Sequence, residues 1–183
     1  MSGTMGVVAP IPTHASKVHI NSFAEDLAGR LNFQPGDAIE PIVARFGGRI
    51  VYHNPVVHHG HAPESIRVFS ARHFEIYIPS TTSIERDRFT VAHELGHFFL
   101  HYPMVSRQNP NVAMVATRWV DETDTTQQRA EWEANWFAAA FLMSSQPFRS
   151  EFTRQSGNLR AVAARFCVSV PAAEVRAKNL GLA

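Results

Sequence analysis

The sequence predicts a single α+β domain in which a small antiparallel sheet packs against a core of helices. Short apolar runs bounded by glycine or proline lie between residues 49 and 78, which is typical of paired strands. Apolar residues at intervals of three and four recur over residues 82–101 and 126–144, which is the period of amphipathic helices. A chain of 183 residues, 45% of them hydrophobic, is long enough to bury one core.

The first part of the chain combines a lead-in, two short helices and three strands. Residues 1–18 are rich in small residues and proline without periodicity, and we expect them to be flexible. Helices are predicted at about 21–32 and 39–46. Strands are predicted in the β-branched and aromatic runs at 49–53, 66–70 and 74–78, with a loop at 54–64.

The second part is mostly helical. Thr82 and Glu85 have the spacing of a capping box, and Tyr102-Pro103 is expected to end the helix that begins there. A strand is predicted at 112–120, followed by a helix at 126–144. Two further helices are predicted at about 159–166 and 171–180, and the short turn between them is typical of a helix-turn-helix.

Composition excludes several classes of protein. The formal net charge is +1 and neither half of the chain is strongly basic, which disfavours direct nucleic-acid binding and a membrane partner. Cys167 is the single cysteine, so an internal disulfide and a cysteine-ligated metal cluster are excluded. The strongest apolar run covers only residues 136–143, whereas a membrane span needs about 20. With no visible signal peptide, we predict a cytoplasmic protein.

The most informative motif is His93-Glu94-Leu95-Gly96-His97, inside the predicted helix 82–101. Residues four apart lie on one helical face with Cβ atoms about 5–6 Å apart, so two imidazoles can hold one metal ion. Glu94 points away from that face and can instead take a proton from a water on the metal. The spacing therefore predicts His93 and His97 as ligands and Glu94 as general base. Gly96, in a helix interior, indicates close approach of another element.

A catalytic zinc site also needs a third protein ligand. The candidates are His101, the His58–His61 cluster, Asp121, Glu131 and Glu133. Glu131 and Glu133 lie about 200° apart around the predicted helix 126–144, so only one faces inward. Glu133 shares a face with Phe137 and Phe141, and a buried carboxylate there needs a cation. We therefore predict Glu133 as the third ligand.

Two segments together resemble the ImmA/IrrE family of bacterial zinc metallopeptidases: Arg88–His101, and Glu131–Ala139 with Phe141–Met143. The similarity extends over about residues 20–183. It implies that His93, His97 and Glu133 bind zinc and that Glu94 is the general base. It also implies a protein substrate, typically a helix-turn-helix repressor of the XRE type whose cleavage relieves repression, for example in a stress response.

The resemblance implies a domain organisation as well, and it leaves some positions open. A zincin-type metallopeptidase domain is expected at 19–150, with a helical extension at 151–183 packed on it. Many gluzincins carry an aspartate four residues after the glutamate ligand, where this chain has Phe137, so the two histidine rings need other acceptors, such as backbone carbonyls or Asp121. The group that stabilises the oxyanion stays open among Tyr52, Tyr77, His61, Tyr102 and Arg118.

The sequence thus predicts a zinc endopeptidase, with Mn²⁺ as an alternative metal because selectivity depends partly on supply. Two other functions compete with this one. The first is a non-catalytic metal-containing regulator that binds a partner protein, which the intact Glu94 disfavours because a structural site needs no base. The second is a DNA-binding regulator that uses the C-terminal helices. The near-neutral charge and the alanine-rich start of the helix at 171–180 disfavour it.

Overall fold

The computed structural model of the chain describes residues 6–53, 63–80, 82–118 and 123–183, so His58, His59, His61 and Asp121 lie outside the described residues. It confirms the α+β class. The strands are β1 (Val7–Val8), β2 (Gly48–His53), β3 (Glu64–Ser70), β4 (His73–Pro79) and β5 (Ala113–Thr117). The helices are α1 (Lys17–Arg30), α2 (Glu40–Arg45), α3 (Ile84–Gly96), α4 (Tyr102–Gln108), α5 (Thr125–Leu142), α6 (Ser145–Arg154), α7 (Leu159–Phe166) and α8 (Val170–Asn179).

The five strands form one mixed sheet in the order β1-β5-β3-β4-β2. The predicted antiparallel pairing holds for β3, which lies between β4 and β5, but β2 pairs parallel to β4 and β1 pairs parallel to β5. Alternating apolar residues predict that a segment is a strand, but they do not say on which side of the sheet it joins or in which direction. The register aligns Ile50, Ile76, Ile66 and Ala116 across the sheet, which gives it an apolar face.

The helix that carries the histidines does not end at Tyr102-Pro103, and that prediction is wrong. A π-helical turn at His97–His101 joins α3 to α4, and the Tyr102 N–H donates to the His97 carbonyl five residues back. Pro103 then lies in the first turn of α4, where a backbone N–H is dispensable. The wider turn therefore lets the helix continue through the proline to Gln108.

The N-terminal segment is attached to the domain from residue 6 onwards, in contrast to the flexible lead-in expected for residues 1–18. β1 pairs with β5, and Pro10 and Pro12 are buried. The backbone N–H groups of Thr13 and His14 both donate to the Glu133 carboxylate on α5. The attachment comes from partners more than 100 residues away, which a search for local periodicity does not detect.

The C-terminal helices pack on the same hydrophobic core as the rest of the chain. Phe148, Val162 and Phe166 are buried in it, as are the small residues of α8 that face inward. Arg176, on α8, is only 2% exposed; its guanidinium donates to the Met143 carbonyl and to Glu25. The residue that would offer the strongest base contact in a DNA-reading helix is therefore occupied inside the protein. Among the described residues, no helix is long and apolar enough to cross a bilayer.

Gly96 lies where α3 and α5 approach each other closely. A Cβ built on Gly96 would lie 3.0 Å from the Ala134 Cα and 3.2 Å from the Ala134 carbonyl oxygen. The sequence-based expectation of a close approach at this glycine is therefore confirmed. The close approach of the two helices brings side chains of α3 and α5 within reach of each other, as at His93 and Glu131.

We expect Gly96→Ala to destabilise the protein by about 1–3 kcal/mol, because the added methyl pushes against backbone. In an open helix the same change would stabilise by up to about 1 kcal/mol. Gly29→Ala, in α1 where a Cβ meets nothing within 4 Å, is the matched control. Urea unfolding of both variants measures the difference. A Gly96→Ala protein as stable as wild type would contradict the tight crossing.

Candidate metal centre

Three side chains from two helices converge on one point. The Nε2 atoms of His93 and His97 are 3.1 Å apart. Glu131 Oε2 lies 3.1 Å from His93 Nε2, and Glu131 Oε1 lies 3.2 Å from His97 Nε2. Two ligand atoms at 2.0–2.1 Å from a tetrahedral zinc are separated by about 3.3 Å, which is close to the distance between the two Nε2 atoms. These residues fit a divalent metal.

Glu133, the predicted third ligand, is not among the side chains that meet at the two histidines, and the structure places Glu131 there instead. The Glu133 carboxylate is fully buried and accepts from Arg129, from Thr13, from the His14 backbone N–H and from His101. The face of α5 that carries Glu133 is buried, as predicted, and the cation that pairs with the Glu133 carboxylate is Arg129. Which of the two glutamates meets His93 depends on where α3 crosses α5, and helical periodicity does not contain that information.

Each metal-facing histidine has a partner on its other ring nitrogen. His93 Nδ1 is 3.1 Å from Asn135 Oδ1, and His97 Nδ1 is 2.9 Å from His101 Nδ1. His101 Nε2 lies in turn 3.1 Å from Glu133 Oε2. Protons on both Nδ1 atoms leave both Nε2 lone pairs free for a metal, which is the usual arrangement behind histidine ligands. His101, a candidate ligand on sequence grounds, therefore supports His97 from behind.

Asn135 also supplies the hydrogen-bond acceptor that the sequence comparison did not find at Phe137. Counted from Glu131, the position four residues on is Asn135, whose side-chain oxygen accepts from His93. The partner is missing only when the count starts from Glu133, two residues further along α5. With Glu131 as ligand, α5 supplies both a ligand and the acceptor that orients a ligand.

Burial and charge prepare these groups to bind a cation. Burial lowers the pKa of His97 to about 3, so its ring is neutral and carries a lone pair. Burial raises the pKa of Glu131, but its hydrogen bonds to both histidines outweigh this and hold its pKa below the usual range. The pKa of His93 is lowered by burial but raised more strongly by Glu131 and by the charge of Glu94, so the net shift is upwards. The raised pKa of His93 beside the Glu131 and Glu94 carboxylates indicates that the site favours positive charge.

Glu94 lies beside the three ligands with its carboxylate buried. Ser65, on β3, donates a hydrogen bond to Glu94 Oε2 at 3.1 Å. Burial raises the pKa of Glu94 to about 7, which is the range that suits a group that takes up and returns a proton near neutral pH. The sequence offered no signal for Ser65, because the contact joins a strand to a helix 29 residues later.

The raised pKa of Glu94 predicts a pH-dependent stability of the metal-free protein. Between pH 4.5 and about 7 folded Glu94 holds a proton that the unfolded chain has lost, so the free energy of unfolding falls as pH rises through this window. A shift from 4.5 to about 7 corresponds to about 3 kcal/mol. With chelator present, Glu94→Gln should therefore exceed wild type in stability by about this amount at pH 8, and the gap should shrink towards pH 5. Urea unfolding at both pH values measures it, and a constant gap would contradict the raised pKa.

A cleft of about 230 Å³ is lined by His93, Glu131 and Glu94, while His97 lies buried behind it. Arg118 lines it, and its charge lies close enough to influence the pKa of Glu94. The other described candidates for oxyanion stabilisation lie elsewhere: the Tyr77 hydroxyl donates to Glu75, Tyr102 stacks beside Phe98, and Tyr52 is largely exposed. His61 lies outside the described residues. Arg118 is therefore the described candidate that lines the cleft.

An α+β domain with His-Glu-x-x-His on one helix and a third carboxylate from a crossing helix has the features of a zincin-type metallopeptidase. The family model of Peptidase_M78, described as an IrrE N-terminal-like domain, matches residues 45–178, and the chain belongs to this family. It is a metallopeptidase family, which agrees with the resemblance found in the sequence.

A comparison with solved structures identifies a chain described as a Mycobacterium tuberculosis transcriptional regulator, with a TM-score of 0.58 and 15% sequence identity. The alignment covers 85% of this chain but only 45% of the other, so this chain spans less than half of that protein's length. At that identity the similarity supports the fold alone. A search of curated proteins found no match.

Proposed function

We propose that the protein is a metal-dependent endopeptidase whose ion is held by His93, His97 and Glu131 and whose general base is Glu94. The observation that carries the proposal is the convergence of these three side chains next to a buried carboxylate with a raised pKa. A structural metal site has no use for such a carboxylate, so the geometry favours an enzyme over a purely structural centre.

Each residue has a definite task in peptide hydrolysis. A divalent ion bound there supplies Lewis acidity, polarising a substrate carbonyl and lowering the pKa of water. Glu94 accepts the proton of the attacking water and returns it to the leaving amine, and Ser65 keeps its carboxylate aimed at the cleft. Arg118 lines the same cleft and lends positive charge to the carbonyl oxygen as negative charge develops there. Two imidazoles and one carboxylate would suit zinc best, with manganese as an alternative.

For the substrate we propose a partner protein, with an XRE-type DNA-binding repressor as the candidate that the family resemblance implies. Direct DNA binding by the C-terminal helices has less support, because Arg176 is buried and paired with Glu25. Exposed loops are the preferred sites of proteolysis, and such a segment of a partner protein can enter the cleft.

The test is hydrolysis of an unstructured polypeptide of mixed sequence by the zinc-loaded protein, with the products identified by mass spectrometry. We expect internal cuts that stop when a chelator is added and resume when zinc is restored. Zinc bound at about one ion per chain without any cut would overturn the proposal in favour of a metal-containing binding protein. Cleavage that persists in excess chelator would assign the activity to another site or a contaminant.

A further inference from the structure

A second and larger cavity, of about 540 Å³, adjoins the metal cleft on the side of α8. Phe89 and Asn135 line both spaces, so the two are adjacent. Beyond these two residues the cavity is lined mainly by apolar side chains of α5 and α8, among them Trp136, Met143 and Val175. Its volume lies within the range of about 300–1,000 Å³ that is typical of ligand pockets.

Phe89 and Asn135 lie between the metal ligands and the apolar cavity. Asn135 holds His93, a metal ligand, and Phe89 lies one helical turn before His93 on α3. A polypeptide whose scissile bond lies at the metal ligands and which runs towards α8 must place its next residues against Phe89 and Asn135. The residues after those would then lie at the apolar cavity.

We propose that this cavity is the subsite that selects the substrate: it binds a bulky apolar side chain, flanked by acidic residues, a short distance from the scissile bond. This inference rests on the proposed function. Val175 is 58% exposed on α8 at the edge of the cavity, so a substrate side chain that enters would cover it. Removal of such apolar surface from water is the driving force for binding.

The charged side chains around the cavity are the reason to expect acidic residues in the substrate. The charged residues that line it are Lys17 and Arg176, and no carboxylate is among its lining residues in the described part of the chain. Arg176 is already paired with Glu25, whereas the Lys17 ammonium donates to the neutral Asn179 side chain and keeps an uncompensated charge at the rim. Acidic residues next to the apolar side chain would meet the Lys17 ammonium.

The experiment compares two peptides with the zinc-loaded protein. One carries a leucine cluster flanked by glutamates, and in the other the leucines are replaced by serine. We expect kcat/KM to be at least about tenfold higher for the leucine peptide. Val175→Asp should keep its zinc and lose this preference, and Ile84→Asp, a change at an exposed apolar residue that does not line the cavity, should retain it. Replacing the glutamates by lysine should lower kcat/KM, and more so at low ionic strength.

The outcomes separate this inference from the proposed function. Equal cleavage of both peptides would overturn the subsite and leave the endopeptidase intact. If neither peptide is cut, anisotropy of the labelled peptides still tests the cavity: binding of the leucine peptide that Val175→Asp abolishes supports it, and no difference overturns it. A concentration-dependent dimer that Val175→Asp dissociates would assign the cavity to a second copy of the chain and overturn its role as a subsite.

Discussion

Glu94→Gln is expected to bind zinc like the wild-type protein and to hydrolyse peptides about 10²–10⁴-fold more slowly. The amide keeps the size of the carboxylate and accepts the Ser65 hydrogen bond at its oxygen, but it takes up no proton at neutral pH. Its atoms are not among the three ligands, so loss of catalysis should occur without loss of metal.

Elemental analysis and kcat/KM must be measured on the same preparation of Glu94→Gln. Ser65→Ala serves as a graded control: the base stays but loses one hydrogen-bond donor, so we expect a smaller loss than for Glu94→Gln. Wild-type rates in Glu94→Gln would remove Glu94 from the mechanism. A Glu94→Gln protein without zinc would indicate that Glu94 also holds the ion.

The isosteric pair Glu131→Gln and Glu133→Gln should separate a ligand from a supporting residue. Glu131→Gln removes a carboxylate that lies 3.1–3.2 Å from both histidine Nε2 atoms, so zinc should be lost on dialysis. Glu133→Gln leaves all three ligands in place but weakens the acceptor behind His101, so zinc should still bind with about 10–100-fold lower affinity. Both substitutions lie on α5 two residues apart, so each controls for the other.

Competition with a chromogenic chelator gives the zinc affinities of the two variants. Far-ultraviolet circular dichroism checks that Glu133→Gln remains folded, because it disturbs a fully buried carboxylate. Zinc lost from Glu133→Gln and retained by Glu131→Gln would identify Glu133 as the ligand and overturn the proposal for Glu131. Identical affinities in both variants and the wild type would place the ion elsewhere.

The sequence is most informative where a function depends on neighbours along one helix. His93, Glu94 and His97 are related by helical geometry alone, so their spacing is sufficient to predict how they lie relative to one another. The β3–β4 hairpin is local in the same sense. In contrast, the apolar face of α5 favours Glu133, whereas the carboxylate that meets the histidines in the structure is Glu131. That outcome depends on how α3 crosses α5, and the main clue to the crossing in the sequence is Gly96.

The remaining differences have the same physical origin. Ser65 reaches Glu94 from a strand, and the parallel pairing of β2 with β4 is decided by the whole sheet and not by either segment. The π-helical turn at His97–His101 carries His101 to a position behind His97, and helical periodicity does not predict such a turn. Contacts between distant segments are therefore the part that the sequence does not reveal.

The hydrogen bonds of Glu133 connect the candidate metal centre to the N-terminal segment. A continuous chain of contacts runs from His97 through His101 and Glu133 to the backbone amides of Thr13 and His14. We therefore expect that metal binding at His97 slows the solvent exchange of those two amide hydrogens, and, because coupling is reciprocal, that substitutions at residues 13–14 lower the metal affinity. The exchange rates of the Thr13 and His14 amide hydrogens would then report whether the metal centre is occupied.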